Sequence, residues 1–206
     1  ISEICRADLP DDGVWFDSDS VTTTRIAEDA DYEGVRATFA GRLATTRISM
    51  QIDIGFSDVV TPGPVEISYP TILDYPAPVL RAYNRETVIA EKFDTMVSLG
   101  RLNSRMKDFF DVWLLASTSD FSGADLSAAI LATFRRRGTE LNAVPQAFED
   151  DFLFDPSKRS QWTGFLKRMR PSEAPSTFSD ALISIRAFLQ PVHEALCSGD
   201  SFTMTW

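Results

Sequence analysis

The sequence predicts an α+β fold, with a β-sheet part first and an all-helical part after it, divided near residue 82. Three observations predict this. Across residues 45–54, Ile48, Met50, Ile52 and Ile54 alternate with Arg47, Ser49, Gln51 and Asp53, the period-two pattern of a strand with one apolar and one polar face. Residues 57–82 contain Pro62, Pro64, Pro70, Pro76 and Pro78, which forbid a helix there. From Arg85 onward, apolar residues recur at helical spacing.

The elements follow in order. Residues 13–17, 21–26 and 34–40 read as β-rich runs between Asp and Gly turn signals. Together with 45–54 they suit an antiparallel or mixed sheet, buried on one face and polar on the other. Residues 57–82 read as an ordered connector with one short strand around 65–69. Helices are predicted over 85–99, 104–117, 123–136, 157–169 and 177–197, with Pro191 kinking or dividing the last. Asn103 or Ser104 would cap the second of these.

Composition narrows the function. At 206 residues the chain can bury one sizeable core or two small ones. A hydrophobic share of 44% excludes wholesale disorder. The net charge of −10 argues against broad duplex binding through phosphates, and leaves a local basic patch open. No apolar run approaches the ~20 residues of a membrane span, and the start has no signal-peptide pattern. Cys5 and Cys197, at opposite ends, read as free thiols of a cytoplasmic protein. His193 is the only histidine, which excludes His-based metal sites and Ser-His-Asp catalysis. No phosphate-binding glycine loop and no paired-cysteine zinc pattern is present.

Lys92 is out of place. At about 100° per residue it falls inside the apolar arc of Val88, Leu99, Met96, Ile89 and Phe93. An ammonium there needs an anion or a path to water. Two readings fit: a lysine that snorkels or pairs with an internal carboxylate, and a lysine that lines a cleft and binds phosphate. On the next predicted helix, Asp108 and Asp111 project at i, i+3 spacing from an otherwise apolar cylinder. Compensation of the helix dipole explains Asp108, in the first turn, better than Asp111. A direct salt bridge from Lys92 to either acid would satisfy both helices without a ligand.

Asp53 sits on the polar face of the clearest strand, where a solvent-facing acid is the ordinary case. Asp17/Asp19 and Asp29/Asp31 are Asp-X-Asp pairs, which we read as turn residues and not as metal ligands. Arg135, Arg136 and Arg137 read as a solvated helix end, as do Lys167, Arg168 and Arg170. Glu149, Asp150 and Asp151 read as a solvated acidic loop, and Trp113, Trp162 and Phe165 as core.

At these residues the chain resembles a known group. QIDIGFSDVVTP (51–62) and YPTILDYPAPVLRAYNRETVIAEKFDTMVSLGRLNSRMKDFFDVWLL (69–115) resemble the AbiEii/AbiGii-type nucleotidyltransferases, toxins of abortive-infection toxin–antitoxin systems. TFRRRGTEL (133–141) is similar to another of their segments. The resemblance implies a DNA-polymerase-beta-like nucleotidyltransferase sheet, here truncated, followed by a helical C-terminal domain. It also implies Mg²⁺-dependent transfer from a nucleoside triphosphate to an RNA or protein acceptor, and a cognate antitoxin as partner. Asp53 matches the third metal-side carboxylate, and Lys92 the lysine that binds triphosphate. Asp108 and Asp111 match acids that orient Lys92 or activate the acceptor; Arg105 and Lys107, in the same motif, would contact phosphate or acceptor RNA. The family's Gly-Ser helix and its strand-borne Asp-X-Asp pair have no match here. Two functions follow: a nucleotidyltransferase toxin, or a catalytically inactive remnant that acts by binding a partner.

Overall fold

The computed structural model describes residues 1–8, 12–26, 34–56, 58–141 and 145–206. The fold is α+β, and it divides into two compact units, Ile1–Asp58 and Val59–Trp206.

The first unit holds a short helix α1 (Ser2–Cys5) and strands β1 (Val14–Ile26), β2 (Gly34–Leu43) and β3 (Thr46–Gly55). They form an antiparallel sheet in the order β1-β2-β3. The alternation in β3 sets Met50 opposite Phe39, Ile52 opposite Ala37 and Ile54 opposite Val35, so one face is apolar. Phe16 meets Phe39 edge-on, with ring centroids 5.8 Å apart. The expected burial of that face is only partly realised. Ala37 in the central strand is buried, whereas Ile52 on β3 is 41% exposed. The reason is that β3 is an edge strand.

The two runs expected at 13–17 and 21–26 are one strand with a register shift between Asp17 and Thr22. Turn chemistry sits inside the shift. Asp17 Oδ1 accepts from the Asp19 amide at 3.1 Å, and the Ala40 amide donates to Ser20 Oγ at 2.8 Å. The Asp17 carboxylate thus serves the bulge, while that of Asp19 pairs with Arg6 at 3.3 Å. The pair Asp29/Asp31 lies outside the described residues.

The second unit begins with a ribbon of β4 (Val65–Ser68) and β5 (Val79–Ala82), two strands where one was expected. The helices follow: α2 (Arg85–Leu99), α3 (Met106–Thr118), α4 (Gly123–Arg137), α5 (Asp150–Leu153), α6 (Pro156–Met169) and α7 (Phe178–Ser198). Ser122, Asp155 and Thr177 cap α4, α6 and α7 with side-chain oxygens. Asn84 caps α2 through the Thr87 amide at 2.7 Å, while its Nδ2 donates to the carbonyls of Thr61 and Gly63. α7 runs unbroken through Pro191, with Phe188, Leu189, Val192 and His193 buried on both sides of it. No described helix is long and apolar enough to cross a membrane.

Three local expectations are corrected. First, α3 starts at Met106 with Arg105 at its N-cap, because a 3₁₀ turn (Gly100–Leu102) occupies the chain before it. Asn103 Oδ1 instead accepts from the Arg105 amide at 2.9 Å, bracing the turn. Gly100 has φ 48°, and a Cβ there would collide with Gln146. Second, residues 149–151 reach solvent, as expected, but Asp150 and Asp151 open α5 and all three acids have arginine partners. Arg101 holds Glu149 at 2.7 Å and Asp151 at 3.4 Å, and Arg186 holds Asp150 at 3.5 Å. Third, Arg137 is not simply solvated. Gly138 ends α4 with φ 69°, and Arg137 reaches α2 at Asp94 (3.1 Å) and Glu91 (3.7 Å). Thr139 Oγ1 also donates to the buried Asp94.

Phe93, Phe109, Phe134, Phe152, Trp162 and Phe178 dominate the helical core, and each is essentially inaccessible. Phe93 stacks on Phe148 (5.7 Å) and meets Phe134 (5.4 Å) and the edge of His193 (5.7 Å). Replacing Phe93 with Ala is expected to destabilise the chain by about 3–5 kcal/mol, through lost burial and the cavity left behind. Urea unfolding checks this; a loss below about 1 kcal/mol would contradict the packing described.

Candidate functional site

Lys92 lies midway along α2, between core and solvent, and its side chain is 19% exposed. The first turns of α3 face it. Lys92 Nζ donates to Asp108 Oδ1 at 2.7 Å and lies 2.8 Å from Asp111 Oδ2. Arg105 Nε reaches the other oxygen of Asp108 at 2.7 Å, and Lys107 Nζ donates to Asp111 Oδ2 at 2.7 Å. Five of the residues singled out in the sequence therefore meet here. Of the two readings of Lys92, the internal salt bridge is the arrangement present.

Three cations face two carboxylates, so the cluster has a formal charge of 3 − 2 = +1. Burial alone would pull the Lys92 pKa down. The hydrogen bonds from Asp108 and Asp111, with their charges, outweigh it and hold the pKa above the usual lysine value. Lys92 is thus a fixed positive charge at neutral pH.

The loop that delivers Arg105 and Asp108 has its own anchor. Lys158, on α6, is buried, and its Nζ donates to the carbonyls of Arg101 (2.9 Å) and Asn103 (2.7 Å). It also faces the Phe152 ring, 5.0 Å from the centroid. Burial pushes its pKa down, opposed by the charge of Asp155. Sequence reading passed over Lys158, although the signal resembled that of Lys92: it shares a helical face with Trp162 and Phe165 at i, i+4, i+7 spacing.

Beside the cluster, between the start of α3 and α6, is an open cleft of about 510 Å³. Its lining includes Arg105, Lys107 and Asp108 from α3 and its cap, with Gln161, Gly164 and Arg168 from α6.

Asp53 belongs to the first unit and is described there alone. Arg36 Nε and Nη2 grip its two oxygens at 2.8 and 2.9 Å, and Gln51 Nε2 donates to both. The Arg36 hydrogen bonds hold its pKa below the usual carboxylate value. As a test of Mg²⁺, this donor set does not fit. Both Asp53 oxygens are bonded to a guanidinium, Asp108 and Asp111 are each bonded to two cations, and no three His, Cys, Asp or Glu side chains among the described residues converge.

Two further titratable groups, His193 and Cys197, sit in structural contacts. His193 is buried against Phe93, and burial lowers its pKa. Cys197 Sγ donates to the Leu141 carbonyl, and burial raises its pKa, so it is not an activated thiolate.

A charged lysine ordered by two aspartates thus stands beside a cleft that carries Arg105, Lys107 and Arg168. The nucleotidyl transferase AbiEii toxin family of type IV toxin–antitoxin systems matches residues 1–184, and the chain belongs to that family. No curated protein and no solved structure gives a significant match. The match includes α2, α3 and α6, which carry the cluster and the cleft.

Two outcomes are expected. Lys158→Met should cost about 2–4 kcal/mol in urea unfolding, because the buried Asn103 carbonyl and the partly buried Arg101 carbonyl lose their donor; an unchanged midpoint would show that the loop does not need it. The raised Lys92 pKa fixes a pH dependence. The folded state holds the proton more tightly, so the stabilisation is complete below the ordinary lysine pKa of about 10.4 and fades as pH rises through the folded value. The stability gap between the parent and Lys92→Met should stay level from about pH 7 to 9 and shrink above about 10.4.

Proposed function

We propose that the protein is the nucleotidyltransferase toxin of a toxin–antitoxin pair, acting in the cytoplasm to transfer a nucleotide from a nucleoside triphosphate to an RNA or protein acceptor. The observation that carries this is the Lys92 cluster: an ammonium held charged, oriented by two aspartates and left with a surplus of positive charge. Family membership supports the nucleotide substrate and brings an antitoxin partner with it.

Lys92 would bind anionic oxygens of the triphosphate. Asp108 and Asp111 would fix its position, which their bonding favours over activation of the acceptor, since both Asp108 oxygens already accept from cations. Arg105 and Lys107 are the more exposed members and face arriving phosphate. A divalent ion, which we take to be Mg²⁺, would neutralise charge that develops on the phosphates. The described carboxylates do not make its seat. A metal-side role for Asp53 requires Arg36 to be displaced.

A second reading is a non-catalytic interaction protein. One observation favours it: Asp53, Asp108 and Asp111 are all engaged by basic side chains.

The test is transfer of label from α-³²P nucleoside triphosphates, with Mg²⁺ or Mn²⁺, by the purified protein. Lys92→Met is expected to lower transfer by roughly 10–100-fold, the worth of one charge-assisted contact, while circular dichroism shows the fold intact. A parent that transfers no label from any of the four nucleotides supports the second reading. A Lys92→Met variant as active as the parent removes the phosphate role.

A further inference from the structure

An open β-sheet ends in two edge strands whose outer backbone groups lack partners, and folded chains protect such edges. The sheet of the first unit protects one of them. β1 carries the register shift between Asp17 and Thr22, a bulge that interrupts the row of groups another strand would need. β3, the other edge, carries no such device. Its pairing with β2 runs from Thr46 to Gly55 without a shift, and it contains neither proline nor lysine. No described strand pairs with its outer side.

Arg47 is the second feature. It stands directly across the ladder from Arg42, where like charges repel. Arg42 lies over the Trp15 ring, 5.9 Å from the centroid. Arg47 is exposed and has no ion-pair or ring partner among the described residues.

The sequence of β3 says what fits its edge. Across a two-fold axis the strand would run antiparallel to itself, with opposed residues pointing to the same side of the sheet. With the axis at Met50, Ile48 meets Ile52 of the second copy, Ser49 meets Gln51, and Arg47 meets Asp53. Apolar residues then face apolar ones, polar face polar, and the unpaired guanidinium reaches a carboxylate. An axis at Ser49 sets Arg47 against Gln51, and one at Gln51 sets it against Gly55. Both leave Asp53 without that arginine. Asp53 is open to it, because its side chain is 45% exposed and Arg36 approaches from β2, away from the free edge. Ile52, 41% exposed at the edge, gains cover from Ile48 of the second copy.

We propose that the chain pairs with a second copy of itself through β3, antiparallel across a two-fold axis at Met50, with Arg47 of each copy on Asp53 of the other. The two sheets become one continuous sheet, and the repulsion between Arg42 and Arg47 is offset by the arriving carboxylate. The pairing does not depend on the nucleotide reading.

A single strand pair makes an interface at the low end of the size range, so the test is a concentration series. Light scattering of the full chain from about 5 to 500 μM should show the mass rise from that of one chain towards that of two. Arg47→Glu should weaken dimerisation roughly tenfold or more, since a two-fold interface meets the reversed charge twice. The same substitution sets opposite charges across the ladder at Arg42, so the urea midpoint at the lowest concentration should not fall. A lost dimer with an undiminished midpoint separates pairing from damage to the sheet. The register is read by oxidation in a Cys5→Ser/Cys197→Ser background. Opposed Cα atoms of an antiparallel pair lie about 4.5–5.5 Å apart, within the span of a disulfide, so Met50→Cys should cross-link. Ser49→Cys should not, because its counterpart lies on the diagonal, at about 7–8 Å. Should Arg47→Glu unfold the sheet, the two cysteine variants decide alone. A mass that stays at one chain throughout overturns the proposal and leaves the edge to a strand of another protein. Dimerisation that a folded Arg47→Glu variant leaves unchanged overturns it too, as does cross-linking by Ser49→Cys in place of Met50→Cys.

Discussion

The ion pairs that join Lys92 to Asp108 and Asp111 tie α2 to α3 and set the geometry of everything at the site. Each acid is shared by two cations, and each cation arrives from a different place: Lys92 from the facing helix, Arg105 from the N-cap, Lys107 from the exposed side of α3. Such a cluster is not a strong stability argument, because desolvating its charges offsets much of their attraction. Its value is positional. A lysine bonded to two carboxylates has little freedom to swing, so its charge is held in one place before any ligand arrives.

Much of this was legible in the sequence, for a physical reason. A helix that must bury one side betrays every charge on that side, and Lys92, Asp108 and Asp111 each broke an apolar pattern. α2 spans the predicted 85–99, and α4, α6 and α7 differ from their expected bounds by a residue or two. What escaped depended on contacts between distant segments. The ribbon of β4 and β5 needs pairing across a proline-rich loop, which periodicity does not report. The fusion of two short runs into β1 depends on a serine hydroxyl that stands in for a ladder bond. The ion pairs of Arg137 and of residues 149–151 did not show because the partners, Asp94, Arg101 and Arg186, lie far away in sequence. Lys158 carried the same signature as Lys92, but its partners are backbone carbonyls, which no sequence pattern marks.

Asp53 shows the limit of transfer by resemblance. Its place on the polar face of β3 was read correctly, and the resemblance supplied a metal-side role for it. What the sequence did not show is that Arg36 stands directly across the ladder from it. A guanidinium fork matches a carboxylate edge-on, so a cross-strand pair of this kind is complete without any ion.

The two lysines of the helical unit differ in what surrounds them, and a consequence follows for ionic strength. Lys158 is buried and its partners are neutral carbonyls, so dissolved salt has little to screen there. Arg105 and Lys107 stand in water, where added salt competes with their attraction for Asp108 and Asp111. Concentrated electrolyte would therefore fray the cluster from its wet rim inward, detaching those two side chains while the loop behind them keeps its shape.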